Sequence, residues 1–182
     1  CAATWDSSGT EGTEEVTNGD FANDLDDWTV YGTTSATGGI ATIGASANSG
    51  IFQDTLTNGV KYTVTINVTS YDGVGIAQVA NNDGVSIYTI TTTGIQTFTF
   101  THNISSGNLL IRGMSNALFS LSSVSVKEVT PGNVSLYLDG ILKDSDAITN
   151  VFVGSVTAAA IGSTTVANNF WKGNIDELSI YN

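Results

Sequence analysis

The feature that most constrains the fold is a strict alternation of apolar and polar side chains that begins at Val60. Every second residue is apolar as far as Val68, and the intervening positions, Lys61, Thr63, Thr65 and Asn67, are polar. A period of two places one row of side chains in a core and the other in solvent, as in a half-buried β-strand. Apolar residues at helical spacing form no convincing pattern elsewhere in the chain. The chain is therefore predicted to be all-β.

Shorter runs of the same kind recur along the chain at intervals of roughly eight to twelve residues, separated by Asn-Gly, Asp-Gly, Thr-Gly and Ser-Gly turns. They predict strands at residues 28–31, 40–45, 50–56, 75–80, 85–91, 95–101, 108–113 and 118–127. Within the last of these, the apolar phase slips at Ser122-Ser123, which predicts a β-bulge. Many short strands at this spacing are typical of an antiparallel β-sandwich.

The single proline marks a predicted domain boundary. Pro131 follows a completed strand and is followed by Gly132, a combination that ends a ladder and opens a turn. Beyond it, Asp139-Gly140 lies between alternating runs and predicts a tight hairpin. Further strands are predicted at residues 150–153, 158–162 and 174–181. About fifty residues are too few for an independent β-domain without disulfides or metal, so this segment is predicted to pack on the first module, on another chain or on a further part of the protein.

Composition excludes several functions. The chain has 17 acidic residues against 5 Lys and Arg, a formal net charge of −12. So few cations cannot neutralise the roughly 6–10 phosphates of a typical DNA footprint, and no nucleic-acid partner is expected. No apolar run approaches the ~20 residues of a membrane span. One cysteine and one histidine are too few for a Cys/His zinc site and exclude an intrachain disulfide.

No residue pattern predicts catalysis. His102 would have to serve any Ser-His-acid triad, but no nucleophile-elbow glycine motif occurs, and a strand-end imidazole in solvent is expected. Asp176 and Glu177 are adjacent on a predicted strand and point to opposite faces, so they cannot flank one glycosidic bond. We therefore expect a protein that is not an enzyme.

Three motifs follow one another in the first part of the chain: Asn18-Gly19-Asp20-Phe21 with Asp27-Trp28, then Gly59-Val60-Lys61-Tyr62-Thr63-Val64, then Ser122-Ser123-Val124-Ser125-Val126-Lys127-Glu128-Val129. Together they resemble carbohydrate-binding-module jelly rolls, in particular the copies found in phage tail and fibre proteins. The resemblance covers about residues 15–129. It departs at Ser122, where the family has an Asp often near a structural calcium. The acidic loop is then either part of a calcium site, with Asp20 and Asp24 as candidates, or simply solvated.

The C-terminal segment, residues 130–182, contains Leu136-Tyr137-Leu138-Asp139-Gly140 and ends in Phe170-Trp171-Lys172-Gly173-Asn174-Ile175-Asp176-Glu177-Leu178-Ser179-Ile180-Tyr181-Asn182. These motifs resemble the C-terminal part of a laminin-G/concanavalin-like lectin domain, whose first half is missing. Residues 1–14 are interpreted as an N-terminal extension that packs on this segment, which would make the jelly roll an insertion. Cys1 is either a lipidated lipoprotein N-terminus or a point where the chain was cut.

The resemblance implies a glycan ligand, held by flat aromatic rings with hydrogen-bonding side chains beside them. Candidate ligand-binding residues outside a clear core phase are Tyr31, Tyr71, Tyr88, Arg112 and Trp171, with polar neighbours among Gln53, Gln78, Asn81, Asn82 and Gln96. Trp28 follows the acidic loop and is predicted to belong to the core. Arg112 is either a donor to the ligand or the partner of an acidic side chain.

These observations predict a non-enzymatic phage virion surface protein from a tail fibre, appendage or head decoration. Its partners would be host-surface glycans or other virion proteins, and it would be a homo-oligomer. One alternative is a secreted or lipid-anchored bacterial carbohydrate-binding or adhesion protein, located outside the cell or on its surface. A further alternative is a structural fibre spacer without a ligand. No cofactor is expected apart from the structural calcium considered above.

Overall fold

A computed structural model describes residues 2–5, 9–81 and 84–147 of the chain. Within these ranges every regular element is a strand, and the predicted all-β antiparallel sandwich is confirmed. The strands are β1 (Ala2–Trp5), β2 (Thr10–Glu14), β3 (Thr29–Tyr31), β4 (Thr34–Thr37), β5 (Ile40–Ile43), β6 (Asn48–Asp54), β7 (Lys61–Tyr71), β8 (Ile76–Asn81), β9 (Ser86–Ile90), β10 (Gly94–Thr101), β11 (Asn108–Met114), β12 (Phe119–Thr130), β13 (Asn133–Leu138) and β14 (Ile141–Ala147).

The chain divides into two compact units. One is Thr10–Thr130, and the other combines Cys1–Gly9 with Pro131–Asn182. The first unit holds a six-stranded sheet in the order β10-β7-β12-β5-β4, with β2 also paired to β12, and a five-stranded sheet in the order β3-β6-β11-β8-β9. All of their pairings are antiparallel.

The core of this unit lies between the two sheets. In β7 the side chains alternate between core and surface as predicted. The inward-facing Tyr62, Val64 and Ile66 are at most 2% exposed. The five-stranded sheet contributes Ile51 and Ile111, both fully buried, to the same cluster. Because each fully buried aliphatic or aromatic side chain contributes about 1.5–3 kcal/mol, this shared interior supplies the main stabilisation of the sandwich.

Strand β12 contains the predicted irregularity. Its pairing with β7 changes register between Ser120 and Leu121 and again between Leu121 and Ser123, which confirms the bulge at this position. Beyond the bulge, the C-terminal half of β12 pairs with β2, which the sequence pattern did not predict. The β2 side chains are all exposed, so they carry no apolar row that could have revealed the strand.

The second unit contains a sheet in the order β1-β13-β14. Asp139 and Gly140 join β13 to β14 with φ angles of 53° and 72°, which confirms the predicted hairpin. The division between the units falls after Gly9, whereas the sequence interpretation grouped residues 1–14 together. The predicted strands at residues 150–153, 158–162 and 174–181 lie outside the described residues. The described part of the chain has no helix long and apolar enough to cross a membrane.

Candidate ligand-binding face

The outer surface of the five-stranded sheet carries two neighbouring rows of side chains. Directly opposed residues of antiparallel strands point to the same side of a sheet, so the strand register defines each row. We call this surface the Tyr31 face. Its first row consists of Tyr31, Gly50, Arg112 and Gln78, and its second row of Thr29, Phe52, Leu110 and Ala80.

The ring of Tyr31 lies against the sheet at the position of Gly50. A Cβ added at Gly50 would be 2.5 Å from Tyr31 Oη and 2.8 Å from Tyr31 Cζ. The phenol therefore covers the space that a side chain would fill on β6. Tyr31 is half-buried as a result.

Arg112 lies in the same row, on the next strand. Its Nη2 donates to the carbonyl of Gly84 at 2.7 Å. With the Gln78 amide oriented so that its oxygen faces Arg112, that oxygen accepts from Nε and Nη2, both at 2.7 Å. Gln78 is 4% exposed, so the guanidinium is held by a buried partner. In the described part of the chain Arg112 is thus oriented by neutral acceptors.

The phenol of Tyr31 is unusual electrostatically. Its hydroxyl is buried and has no hydrogen-bond partner among the described residues. Burial raises the pKa of Tyr31 above its ordinary value of 10.0, and the positive charge of Arg112 offsets part of that increase. The neutral phenol is therefore the form that the folded protein favours.

Tyr31→Phe tests this assignment. A raised folded-state pKa stabilises the fold fully below the unfolded pKa, and this contribution is lost as the pH rises above about 10. Because the hydroxyl has no partner, its removal is expected to leave stability at pH 7 unchanged or slightly higher. Urea denaturation at neutral and alkaline pH should show a smaller alkaline loss of stability for Tyr31→Phe than for Tyr71→Phe. An equal loss in the two variants would contradict the assignment.

The other tyrosine candidates do not join the Tyr31 face. Tyr88 is opposite the buried Val79, so it points toward the core side, where its ring stacks on Phe98 at a centroid distance of 4.3 Å and an angle of 2°. Tyr71 packs at the margin of the core, and its hydroxyl donates to the carbonyl of Gly75 at 3.4 Å. Of the described candidates, the structure brings together Tyr31 and Arg112. Trp171 lies outside the described residues.

Of the predicted polar neighbours that the structure describes, one lies on the Tyr31 face and the others bind elsewhere. Gln78 belongs to the Tyr31 face, whereas Gln53 binds the backbone of Thr17 through both ends of its amide, at 2.7 and 3.1 Å. Gln96 donates to the carbonyl of Thr92, and Asn81 accepts from the amide of Val85 within the β8–β9 turn. Asn82 lies outside the described residues.

Five members of the face were not candidates from the sequence: Thr29, Gly50, Phe52, Ala80 and Leu110. Phe52 and Leu110 lie in runs that are also apolar on the core side, so the sequence gives no local signal that they face outward. Gly50 leaves space for the ring of Tyr31, which belongs to another strand, so the sequence around Gly50 does not indicate why glycine is there.

The acidic loop before β3 is held together by Asn18. The Asn18 amide donates to the carbonyls of Asp24 and Asp26 at 3.2 and 2.8 Å. The Asn18 carbonyl accepts from Trp28 Nε1 at 3.1 Å. Trp28 is 6% exposed and lies beside the fully buried Phe21 at a centroid distance of 5.8 Å, which confirms its assignment to the core.

This loop does not fit the calcium site considered from the sequence. Calcium needs oxygen ligands, but the Asn18 side-chain N–H group already binds the two loop carbonyls of Asp24 and Asp26. The carboxylate of Asp20 accepts from the amide of Ala22, and Asp24 is exposed. The described residues contain no group of three or more His, Cys, Asp or Glu arranged to hold a metal.

Because the loop carbonyls are already hydrogen-bonded, we expect calcium to have no effect on the stability of the Thr10–Thr130 unit. Thermal unfolding of the full chain with millimolar calcium chloride or with a chelator should give the same midpoint. Magnesium chloride at equal ionic strength is the control for general salt effects. A rise in the midpoint specific to calcium would show that the loop rearranges around an ion.

His102 does not lie in solvent as expected, because it is 2% exposed. Its Nε2 is 2.7 Å from the carbonyl of Ser106, so this nitrogen carries the proton and donates. The turn after β10 covers the imidazole, and the ring of Phe100 lies nearly perpendicular to it at a centroid distance of 6.4 Å. Beside it is a cleft of about 260 Å³, lined also by Asn81, Val85 and Ile87.

Comparison with known proteins does not assign the chain to a family. No protein-family model and no curated protein matches it. Among solved structures, an arabinose-bound α-L-arabinofuranosidase has 13% sequence identity and a TM-score of 0.37. That match covers 66% of this chain and 27% of the enzyme's chain.

Proposed function

We propose that the protein is a non-enzymatic carbohydrate-binding β-sandwich whose Tyr31 face binds a glycan. The observation that carries this proposal is the phenol of Tyr31 placed over Gly50, in one row with the oriented guanidinium of Arg112. An aromatic ring at the surface of a sheet offers a flat apolar surface of the kind that the face of a sugar ring can cover.

The rest of the face supplies the complementary groups. Arg112 offers N–H donors whose orientation is already fixed, so binding orders few additional bonds. Phe52 and Leu110 extend the apolar surface in the neighbouring row. Across four strands spaced by about 4.8 Å, each row is roughly 14 Å long, which is enough for a short chain of sugars. Binding at such a shallow surface is weak for one site, and repetition would raise its avidity by roughly 10²–10⁴.

We place this protein on the surface of a phage virion, as part of a tail fibre, an appendage or a head decoration. The support for that setting is the sequence resemblance of residues 15–129 to modules of phage tail and fibre proteins. A secreted or lipid-anchored bacterial adhesion protein would use the same face for a polysaccharide. In a virion, the face would bind host-surface glycans or a neighbouring virion protein.

A glycan array probed with multivalent protein tests the ligand class. Tyr31→Ala removes the ring and is expected to weaken binding to any positive glycan by about tenfold or more. Tyr31→Phe keeps the ring and should retain binding. Tyr88→Ala removes an aromatic residue that faces the core side, so it serves as the control for nonspecific loss of aromatic surface.

The array also separates the alternatives. If the Tyr31→Ala variant binds glycan as well as the wild type does, the ligand site is not on the Tyr31 face. If no glycan binds the wild-type protein, the face is a contact for other proteins or the sandwich is a spacer. In that case, a pull-down with purified virions distinguishes assembly from a spacer without a ligand.

A further inference from the structure

The edges of the sandwich differ in how they are protected against pairing with another strand. Exposed edge strands are usually short, charged, bulged or interrupted by proline, because an open row of N–H and C=O groups pairs readily with other chains. Strands β3 and β4 have three and four residues. The β9 pairing contains a register shift, and β2 carries Glu11 and Glu14.

Strand β10 has none of these protections in the described structure. It has eight residues, contains neither a charge nor proline, and pairs with β7 in continuous register from Gly94 to Thr101. It lies at the end of the six-stranded sheet, so one of its edges has no neighbouring strand among the described residues. Ile95 on this strand is 74% exposed, the highest value among the large hydrophobic side chains at the surface.

The pairing with β7 shows which backbone groups of β10 are free. The amide of His102, directly after β10, donates to the carbonyl of Val60 at 2.9 Å. In an antiparallel ladder, alternate residues direct their backbone groups to the partner, so Gln96, Phe98 and Phe100 share this orientation. The residues between them direct their N–H and C=O groups outward: Ile95, Thr97, Thr99 and Thr101.

We propose that this β10 edge pairs antiparallel with the β10 edge of a second copy of the chain, joining two six-stranded sheets into one. A two-fold axis normal to the sheet, placed midway between the two paired edges and level with the centre of β10, keeps both cores on the same side. It also places outward-directed groups of one copy opposite those of the other. The cross-strand threonine contact already present in the sheet, Thr65 with Thr97 at 3.0 Å, shows side-chain packing that such pairs can repeat.

Charge favours a second copy at this edge over other places on the molecule. The chain carries a net charge of −12, so most contacts between two copies bring like charges together. The β10 edge is uncharged along its whole length, and pairing there causes no direct repulsion between opposed side chains. This inference is independent of glycan binding, and a dimer would present two Tyr31 faces.

Pairing of a single edge buries less than the roughly 1,200 Å² of a stable interface, so we expect a dissociation constant of about 0.1 mM. Amide hydrogen exchange of the full chain, followed by NMR, gives the direct test. Between about 20 µM and 2 mM protein, exchange of the Ile95, Thr97, Thr99 and Thr101 amides should slow by about fivefold. The Gln96, Phe98 and Phe100 amides should stay protected at all concentrations, because they are bonded within the monomer.

Thr99→Lys is the variant that should abolish dimerisation, since it places two like charges close to the two-fold axis. It also reduces the net negative charge, so overall repulsion cannot explain a loss of dimer. Thr37→Lys makes the same change on the opposite edge strand, β4, and should still dimerise in sedimentation velocity. Thr97→Pro removes an outward N–H without removing a bond to β7, and should also give a monomer.

Two results would overturn the proposal. Fast exchange of all four outward amides at every concentration would show that the edge stays unpaired. Slow exchange of the same amides at every concentration would show that another segment of the same chain covers the edge.

Discussion

Replacing Gly19 with alanine is expected to destabilise the sandwich by about 3 kcal/mol, enough to lower the thermal midpoint by roughly 10 °C. The Cβ of alanine would be 2.2 Å from the carbonyl oxygen of Val124 and 3.3 Å from Cγ1 of Val16. The first of these neighbours is backbone and cannot rotate away. The carbonyl of Gly19 also accepts from the amide of Val124 at 2.7 Å, so separation of the two segments loses that bond.

Gly12→Ala is the matched control for this variant. A Cβ at Gly12 meets Glu128 at 3.5 Å or more, which is ordinary contact, so we expect a change within about 0.5 kcal/mol. Urea denaturation of the two variants and the wild type measures the difference. Equal stability of Gly19→Ala and Gly12→Ala would show that the loop and β12 do not approach each other this closely.

Gly50→Ala is expected to affect both stability and the Tyr31 face. The new Cβ would be 2.3 Å from the carbonyl oxygen of Ile111 and 2.5 Å from Tyr31 Oη. The backbone clash should cost about 3 kcal/mol. The second clash displaces the phenol from the sheet, so any glycan binding that depends on the ring should fall by about tenfold.

A double-mutant cycle separates the two clashes. In a Tyr31→Ala background the contact with the ring is absent, but the contact with Ile111 remains, so Gly50→Ala should still destabilise the protein by a smaller amount. A coupling energy of about 1 kcal/mol between the two positions is expected. A coupling of zero would mean that the Tyr31 ring does not cover Gly50.

Most strands of the sandwich could be predicted because apolar and polar residues alternate within each of them. The alternation from Val60 to Val68 reports burial directly, since one face of β7 is in the core and the other is not. The shift in the apolar alternation at Ser122-Ser123 predicted the bulge for the same reason. Strands β2 and β4 have few buried residues, and their pairing depends on a neighbouring edge, so no periodicity identified them.

The candidate site was predictable in part. Tyr31 and Arg112 were selected because neither matched a core phase, and the strand register places them in one row. Tyr88 was selected on the same ground, yet it points toward the core side at the open margin between the sheets and stacks on Phe98. The pattern distinguishes two faces of a strand, but it does not tell which face of an edge strand is inside.

The amino-acid sequence by itself determined the class of fold, the positions of most strands and the residues of the core, because these follow from local alternation and turn chemistry. It also marked Gly19 within a motif without indicating why glycine is needed there. Only the tertiary structure decided that Gly19 lies against Val124, that Gly50 lies beneath Tyr31 and that β10 ends its sheet. Each of these depends on backbone segments that are far apart in the chain and meet only when the sheets assemble.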